Sequence, residues 1–202
     1  MKLLYGTANT AKIQHMREML QGSGIEIIGL NDINLKVESI DESGNNPLEN
    51  ARIKALAYYK VLKTPVFSCD SGLYIEGIDS KSQPGVHVRR VNGKVLDDEE
   101  MIEHYISVAL NHGGEVKAKY KNAICLILDE ENIFEYDGAD ISSDSFIITS
   151  KPHPMRNIGF PLDSISIEME TGRYFMDITL QDNSKSKMSQ GFKEFFLRAA
   201  TK

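Results

Sequence analysis

Apolar residues recur along the chain at two spacings, one typical of strands and one typical of helices. The short apolar run Lys2–Gly6 predicts a strand. It leads through a polar turn into a segment whose apolar residues share one helical face, namely Ile13, Met16, Met19 and Leu20. Asn9 or Thr10 can cap that helix, because their side chains accept hydrogen bonds from its first N–H groups. The chain therefore opens as strand, turn and helix.

Three later segments are also predicted to be helical. Asn46-Pro47-Leu48-Glu49 is typical of a helix start, with a capping Asn, a Pro at the first helical position and a Glu three residues after the cap. That helix is predicted to end near Leu62. Another helix opens at Asp97–Glu100, where acidic residues suit the positive end of the helix dipole. The last helix carries an apolar face made of Phe192, Phe195, Phe196 and Ala199.

Apolar runs predict the remaining strands. They lie over Ile25–Leu30, Lys117–Leu128, Ile133–Ser142 and Phe146–Thr149. The two long runs flank Asp129–Asn132, a hairpin signal, whereas Lys151–Asp163 is rich in Pro and Gly and is predicted to be a loop. We find no internal repeat, low-complexity tract or interdomain linker, so residues 1–202 are interpreted as one domain.

Composition and charge narrow the class of protein. The 202 residues carry a formal charge of −6, which argues against a general nucleic-acid-binding surface, because such surfaces need clustered cations. Both cysteines, Cys69 and Cys125, lie in apolar runs and are interpreted as buried apolar residues in a reducing compartment. The N-terminal segment has no long apolar core, so we expect neither a signal peptide nor a membrane anchor. We therefore expect a cytoplasmic protein with no membrane or nucleic-acid partner.

The turn between the first strand and the first helix is a candidate anion site. The first N–H groups of a helix point outward unpaired, and Lys12, one turn further on, could reach the same anion. The turn is not a Walker A loop, since it lacks the second glycine and the Lys-Ser/Thr ending, and it is not a G-x-G-x-x-G dinucleotide motif. Taken alone, it fits phosphate binding and an ordinary capped helix equally well.

The stretch Pro65–Asp79 holds the strongest candidate for catalytic chemistry. Its first apolar run ends at Cys69-Asp70-Ser71-Gly72, and a second run, Leu73-Tyr74-Ile75, follows at once. We interpret this as a buried strand that breaks at Asp-Ser-Gly, which would place the Asp70 carboxylate at a strand end, where α/β proteins open their clefts. A carboxylate there can hold a divalent cation or act as a base. The same residue types also form ordinary turns, so the residues alone leave both interpretations open.

Other kinds of catalytic site find little support in the sequence. The five histidines show no metal-ligand spacing and the cysteines form no C-x-x-C pair, so we expect no zinc site. No G-x-S-x-G elbow is present. Acidic residues and lysines remain as candidates, and these are the usual ligands of Mg²⁺ and phosphate.

Six segments, in order along nearly the whole chain, resemble the motifs of one enzyme family. They are Thr7–Lys12 for T-G-N-x-x-K, Glu42–Gly44 for E-T-G, Glu49–Lys54 for E-N-A-x-x-K, Cys69–Leu73 for D-D-S-G-L, Pro84–Arg90 for P-G-x-x-S-A-R and Gly159–Asp163 for G-F-G-Y-D. The chain thus resembles the inosine triphosphate pyrophosphatase family, house-cleaning enzymes that hydrolyse non-canonical purine nucleoside triphosphates to the monophosphate and pyrophosphate. Each segment is weak alone, but six in order make the resemblance specific.

The resemblance implies a role for each candidate site residue. Asp70 would be the catalytic general base and, together with Glu42, a ligand of Mg²⁺ or Mn²⁺. The triphosphate would be bound by Thr7, Asn9, Lys12, Lys54 and Ser71. The base would be bound by Phe160, Asp163, Lys185 and Gln190.

The resemblance also implies a fold and an assembly. The fold would be α/β, a long mixed β-sheet with flanking helices, in two lobes around a central nucleotide-binding cleft. The protein would be a cytoplasmic homodimer that depends on Mg²⁺ and acts on triphosphates of the ITP, dITP and XTP kind.

Two departures from the motifs keep alternatives open. Gln190-Gly191 stands where the family has the His-Arg pair that contacts the 6-oxo purine, and Cys69 replaces the first Asp of D-D-S-G. Fewer donors aimed at a keto oxygen should weaken selection of the base. The alternatives are therefore the same chemistry on another modified or non-purine nucleotide, and a catalytically weakened nucleotide-binding sensor.

Overall fold

The part of the chain that the structure describes contains four α-helices, nine strands and four short 3₁₀ helices. The structure is a computed structural model, and it describes residues 1–33, 40–178 and 186–200. The helices are α1 Thr10–Met19, α2 Pro47–Leu62, α3 Asp98–Leu110 and α4 Lys187–Ala200. The strands are β1 Lys2–Tyr5, β2 Glu26–Gly29, β3 Val66–Ile75, β4 Arg90–Val91, β5 Lys94–Val95, β6 Glu115–Ile127, β7 Ile133–Tyr136, β8 Phe146–Thr149 and β9 Ser166–Glu168.

One mixed sheet holds most of these strands. It contains seven of the described strands, whereas β4 and β5 form a separate hairpin. The chain divides into two compact units, one comprising Met1–Ser71, Lys121–Ser143 and Asn183–Lys202 and the other Gly72–Tyr120 and Asp144–Asp182. The predicted arrangement of two lobes around a cleft stays a prediction.

In the first unit, two side-chain caps determine where α1 and α2 begin. The Asn9 side chain accepts a hydrogen bond from the N–H of Lys12 at 3.1 Å. Asn46 accepts one from the N–H of Glu49 at 2.9 Å, and Pro47 is the first residue of α2. Each cap satisfies an N–H group that has no partner within its helix. Both predicted helix starts, and the predicted end at Leu62, are confirmed.

The strands of the first unit carry apolar residues on both faces. β1 pairs in parallel with β2 and β3, and β7 pairs antiparallel with β6. Because successive side chains of a strand point to opposite faces, β1 divides its residues between two cores. Leu3 and Tyr5 join a cluster with residues of α1 and α4, while Leu4 joins a cluster with residues of α2. Helices therefore cover both faces of these strands.

The second unit is built on α3 and the antiparallel strands β8 and β9. Asp97 and Glu100 form a reciprocal capping box at the start of α3, which confirms the predicted helix there. β8 pairs antiparallel with β6 and with β9. The apolar stripe of α3 packs into a buried cluster that includes Met101, Ile102 and Tyr105.

Two predictions about the strands are wrong. β3 continues from Val66 to Ile75 without a break, so Asp70 lies inside a strand and not at its end. β7 ends at Tyr136, six residues before the predicted end. Its chain turns there because the Tyr136 hydroxyl donates a hydrogen bond to Asp140 Oδ1 at 2.6 Å and the N–H of Ile141 bonds to the carbonyl of Gly138 at 3.2 Å.

α4 packs closely against the turn that follows β7. Ser186 caps the helix, since its hydroxyl accepts a hydrogen bond from the N–H of Ser189 at 3.1 Å. Gly191 is buried, and a Cβ atom at this position would lie 2.5 Å from the carbonyl oxygen of Asp140. The helix can approach the turn this closely only because residue 191 has no side chain.

None of the described helices combines the length and the apolar character that crossing a membrane would need.

Gly191→Ala is expected to lower the free energy of unfolding by about 1–3 kcal/mol, because the added methyl group meets backbone atoms that cannot move cheaply. In an unobstructed helix the same change would stabilise by about 0.5–1 kcal/mol. The sign of the change in urea denaturation therefore tests the packing. Gln190→Ala, one residue earlier and exposed, is the matched control and should change the free energy of unfolding by less than about 0.5 kcal/mol.

Candidate functional site

Asp70 projects from β3 toward the face that α2 covers. Residues 66, 68 and 70 of a strand share one face, and Val66 packs in the same cluster as Ala51 and Ala55 of α2. The strand thus presents the Asp70 carboxylate to the helix. Its location inside the strand requires that the protein supply partners for the charge.

Two side chains of α2 donate hydrogen bonds to the two oxygens of Asp70. Lys54 Nζ lies 2.7 Å from Asp70 Oδ1, and Asn50 Nδ2 lies 3.2 Å from Asp70 Oδ2. Asn50 and Lys54 are one helical turn apart and so lie on the same face of α2. The Asp70 side chain is 9% exposed and that of Lys54 is 12% exposed. Each oxygen of a largely buried carboxylate therefore has a donor, which offsets the cost of removing its charge from water.

Lys54 also contacts a second carboxylate. Its Nζ lies 3.4 Å from Glu42 Oε2, so the ammonium group bridges Glu42 and Asp70. Glu42 precedes α2, and the backbone near it is tied to the helix by a hydrogen bond from the N–H of Gly44 to Asn50 Oδ1 at 2.8 Å. The structure thus brings together three residues that are distant in sequence and that the family resemblance places in one site.

Lys12 belongs to the same electrostatic cluster. Burial lowers the pKa of the Lys12 ammonium, and the positive charge of Lys54 lowers it further. The negative charges of Asp70 and Glu42 act in the opposite direction and raise it. The start of α1 is therefore coupled to the Asp70 cluster through charge.

Thr7 and Asn9 form the turn that leads into α1. Thr7 Oγ1 accepts a hydrogen bond from the N–H of Asn9 at 3.2 Å, and Asn9 in turn caps the helix. The positive end of the helix dipole and the first N–H groups lie at this turn, which is the usual geometry of an anion site. Direct contact of Thr7 and Asn9 with a triphosphate stays a prediction.

The two neighbours of Asp70 along β3 occupy the opposite face of the strand. Cys69 packs against the cluster that contains residues of α1 and α4, and burial raises the pKa of its thiol to about 12. Cys69 is therefore protonated at neutral pH and adds no negative charge to the site. No hydrogen bond joins Ser71 to the Asp70 cluster within the described part of the chain, and its predicted phosphate contact stays a prediction.

Phe160 and Asp163 lie in the second unit, in a turn that is stabilised by hydrogen bonds between its own residues. The N–H of Phe160 bonds to the carbonyl of Asn157 at 3.0 Å, and the N–H of Asp163 bonds to the carbonyl of Phe160 at 3.1 Å. Asn157 Nδ2 donates to Asp163 Oδ2 at 2.8 Å. Burial raises the pKa of the Asp163 carboxyl from 3.8 to about 6, although the bond from Asn157 opposes that shift. Asp163 is thus a half-buried, titratable carboxyl in the same turn as Phe160.

Of the two remaining predicted base contacts, Gln190 lies near the start of α4. Gln190 is exposed, and its amide donates to Glu194 Oε1 at 2.8 Å, one turn further along the helix. Lys185 lies outside the described residues. A role of these two residues in base binding stays a prediction.

The sequence analysis assigned no role to Asn50. This residue is 2% exposed and contacts both Asp70 and the backbone of Gly44. The available signal was a lone Asn placed four residues before Lys54 on a helix whose other buried residues are mostly small and apolar. Burial of an amide requires hydrogen-bond partners, so that spacing could have pointed to a shared partner of both side chains.

Glu42 and Asp70 are the residues that could hold a divalent cation. Their carboxylates converge on one point, the Lys54 ammonium, and oxygen ligands of this kind suit Mg²⁺ and Mn²⁺. Among the described residues, no group of three or more His, Cys, Asp or Glu side chains is arranged for a metal. The protein would thus supply two ligands and leave the others to water and phosphate, which is how Mg²⁺ is usually bound at nucleotide sites. This set of ligands fits such a cation.

The fold and the site together define a mixed α/β protein with a carboxylate–lysine cluster coupled to a helix N-terminus. The model of the Ham1 family matches residues 3–190. The chain therefore belongs to the Ham1 family, and the resemblance found in the sequence motifs is confirmed.

Curated relatives and solved structures agree with this assignment. The chain is 27% identical over 187 residues to a dITP/XTP pyrophosphatase of Thermus thermophilus, covering 92% of this chain and 84% of that protein. It is 27% identical over 183 residues to the dITP/XTP pyrophosphatase of Bacillus subtilis, covering 90% and 88%.

The Ham1 protein of Staphylococcus aureus matches with a TM-score of 0.73 at 20% identity, covering 99% of this chain and 100% of that one. A HAM1 protein from Coxiella burnetii matches with a TM-score of 0.71 at 24% identity, covering 100% and 98%. These structures confirm the predicted fold, a large mixed sheet flanked by helices.

Lys54→Met is expected to lower the free energy of unfolding by about 2–4 kcal/mol, because it leaves the Asp70 carboxylate buried without its counter-charge. In an Asp70→Asn background the same substitution should cost about 1 kcal/mol, since no buried charge is left unpaired. Urea denaturation of the parent, both single variants and the double variant measures this coupling. If the losses in the free energy of unfolding of the two single variants added up to the loss of the double variant, the ion pair between Lys54 and Asp70 would be contradicted.

Asp163→Asn is expected to change how stability depends on pH. The folded protein binds a proton at Asp163 more tightly than the unfolded chain does, because the pKa is raised to about 6. Its contribution to stability is therefore present below about pH 4 and is lost as the pH rises through about 6. Between pH 4.5 and pH 7.5, the free energy of unfolding of the parent should therefore fall by about 1–3 kcal/mol more than that of Asp163→Asn.

Chemical denaturation at both pH values measures that difference. Asp137→Asn, an exposed position in the first unit, is the control and should follow the parent at both. If Asp163→Asn changed the free energy of unfolding equally at both pH values, the raised pKa of the Asp163 carboxyl would be contradicted.

Proposed function

We propose that this protein is a nucleoside triphosphate pyrophosphohydrolase that converts non-canonical (deoxy)nucleoside triphosphates, of the ITP, dITP and XTP kind, to the monophosphate and pyrophosphate. The observation that carries this proposal is the Asp70 cluster, in which two carboxylates converge on one lysine. Membership of the Ham1 family supports it. So do the relatives named dITP/XTP pyrophosphatases.

Asp70 would act as the general base. Its two oxygens accept hydrogen bonds from Lys54 and Asn50, and a carboxylate oxygen can accept a further bond from water. Asp70 would orient that water toward the α-phosphorus, take its proton and leave pyrophosphate as the departing group. Placing the water and the triphosphate in one geometry would supply part of the rate enhancement.

Lys12, Lys54 and the start of α1 would bind the triphosphate. Both ammonium groups lie in the electrostatic field of Asp70, so they are already placed beside the reacting centre. They would neutralise the charge that develops on the leaving pyrophosphate. Thr7 and Asn9 would complete the anion site at the helix N-terminus, and Ser71 would add a further contact.

Glu42 and Asp70 would bind the metal, Mg²⁺ or Mn²⁺. When bound, such a cation neutralises phosphate oxygens and lowers the cost of developing negative charge. Lys54 now occupies the point between the two carboxylates. It would release at least one of them and turn toward the phosphates.

The base would be bound by Phe160, Asp163, Lys185 and Gln190. The aromatic ring of Phe160 is suited to stacking, and Asp163 offers a carboxyl that can donate or accept according to its protonation. Mg²⁺ dependence, the two-lobed cleft, a homodimer and a cytoplasmic location belong to this proposal and rest on the resemblance to the family.

A second candidate keeps the chemistry and changes the substrate, either another modified or non-purine nucleotide or a broader choice of base. Gln190 directs its amide to Glu194, and Gly191 carries no side chain and packs against Asp140. The start of α4 therefore offers fewer donors to a keto oxygen than a His-Arg pair would.

A nucleotide panel tests the proposal against this candidate. The protein is incubated with Mg²⁺ and each of dITP, XTP, dATP, dGTP, dCTP and dUTP, and the products are separated by ion-exchange chromatography. We expect monophosphate and pyrophosphate, released faster from dITP and XTP than from dATP. Similar rates for all bases would favour the second candidate, and release of orthophosphate alone would contradict the proposed chemistry.

Asp70→Asn is expected to lower kcat by about 10²–10⁴, because the amide cannot take the proton of the attacking water. Binding of an inosine triphosphate with a methylene group between the α- and β-phosphates should persist in calorimetry. Asp144→Asn, the same change at an exposed position, is the matched control. Tight binding with no turnover in the parent would favour a nucleotide-binding sensor.

A further inference from the structure

The buried side chain of Asn50 accepts one hydrogen bond and donates another. Its Oδ1 accepts from the N–H of Gly44 at 2.8 Å, and its Nδ2 donates to Asp70 Oδ2 at 3.2 Å. A backbone N–H can only donate and a carboxylate can only accept. The two partners therefore fix the orientation of the amide, and an ionised Asp of the same shape, which can only accept, could not satisfy both.

These bonds connect the two carboxylates of the site through neutral groups. Gly44 is two residues from Glu42, and Asp70 lies in β3. The contact at Gly44 is close, since a Cβ atom there would lie 2.6 Å from Asn50 Oδ1. Asn50 thus ties the segment that carries Glu42 to the strand that carries Asp70.

Lys54 makes a second connection between the same carboxylates, but through a charge. In the proposed function its ammonium turns toward the phosphates when substrate binds, and that connection weakens. The bonds of Asn50 involve no group that a triphosphate would attract. They can therefore persist through the reaction.

We propose that Asn50 is a positioning residue that sets the separation of Glu42 and Asp70, an inference that rests on the proposed function. It acts on Asp70 and on the Glu42 segment, and it does not touch the nucleotide. Residues that hold metal ligands and catalytic groups from behind typically contribute about 10–100-fold in activity or metal affinity.

Three variants distinguish this role from the alternative, in which Asn50 acts only through its hydrogen bond with the N–H of Gly44. Asn50→Asp keeps the oxygen that accepts from Gly44 and replaces the amide donor by an oxygen that can bond to Asp70 only when one of the two carboxyls holds a proton. Asn50→Ala removes both bonds without adding a charge. Asn46→Asp makes the same chemical change one turn earlier, where the side chain caps α2 and its oxygen can still do so. Thermal unfolding is recorded for all three.

Turnover of dITP with Mg²⁺ is the first measurement. We expect kcat to fall about 10–100-fold in both Asn50 variants while KM changes by less than about threefold, and Asn46→Asp to match the parent. A folded Asn50→Ala protein with the kcat of the parent would overturn the proposal, since it would show that neither bond of Asn50 contributes to turnover.

Mn²⁺ affinity, measured by electron paramagnetic resonance without nucleotide, is the second readout. We expect the dissociation constant to rise about tenfold in Asn50→Ala, because Glu42 and Asp70 are no longer held at the separation that binds the cation. An unchanged constant would overturn the positioning role whether or not the protein turns over. A parent that binds Mn²⁺ but hydrolyses no nucleotide would instead refute the proposed function and leave the Mn²⁺ comparison to decide the role of Asn50.

Discussion

An aspartate carboxylate inside a β-strand requires donors for both of its oxygens, and this requirement connects β3 to α2. Lys54 and Asn50 meet it from one face of the helix, at 2.7 Å and 3.2 Å. A charge removed from water without such partners would cost several kcal/mol. The position of α2 and the identity of its residues on that face are therefore coupled to Asp70.

The same helix determines where the other charges lie. Its N-terminus is fixed by Asn46 and Pro47, and the segment before it returns to the helix through the bond between Gly44 and Asn50. Glu42 is thereby brought to the Lys54 ammonium. Two lysines and two carboxylates then share a small volume, in which a phosphate and a cation would each find oppositely charged groups.

Features that depend on neighbouring residues could be read from the sequence. The caps at Asn9 and Asn46 involve partners three residues away, and both were predicted correctly. The break expected at Asp70 was wrong, because a local turn preference was outweighed by donors that lie 16 and 20 residues earlier in the chain. The end of β7 was also missed, since it depends on a bond between Tyr136 and Asp140 that the alternation of apolar residues does not show. The convergence of Glu42, Lys54 and Asp70 was expected only from the family motifs, because neither spacing nor periodicity identifies residues that meet through tertiary structure.

The most direct test of the Asp70 cluster is to locate a bound cation without relying on activity. Trace Mn²⁺ added to the ¹⁵N-labelled protein broadens the amide signals nearest the metal. If Glu42 and Asp70 form the cation site, the amides of Gly44 and Asp70 should broaden first. Broadening that begins at the acidic hairpin Asp129–Asn132, with Gly44 and Asp70 unaffected, would contradict the account.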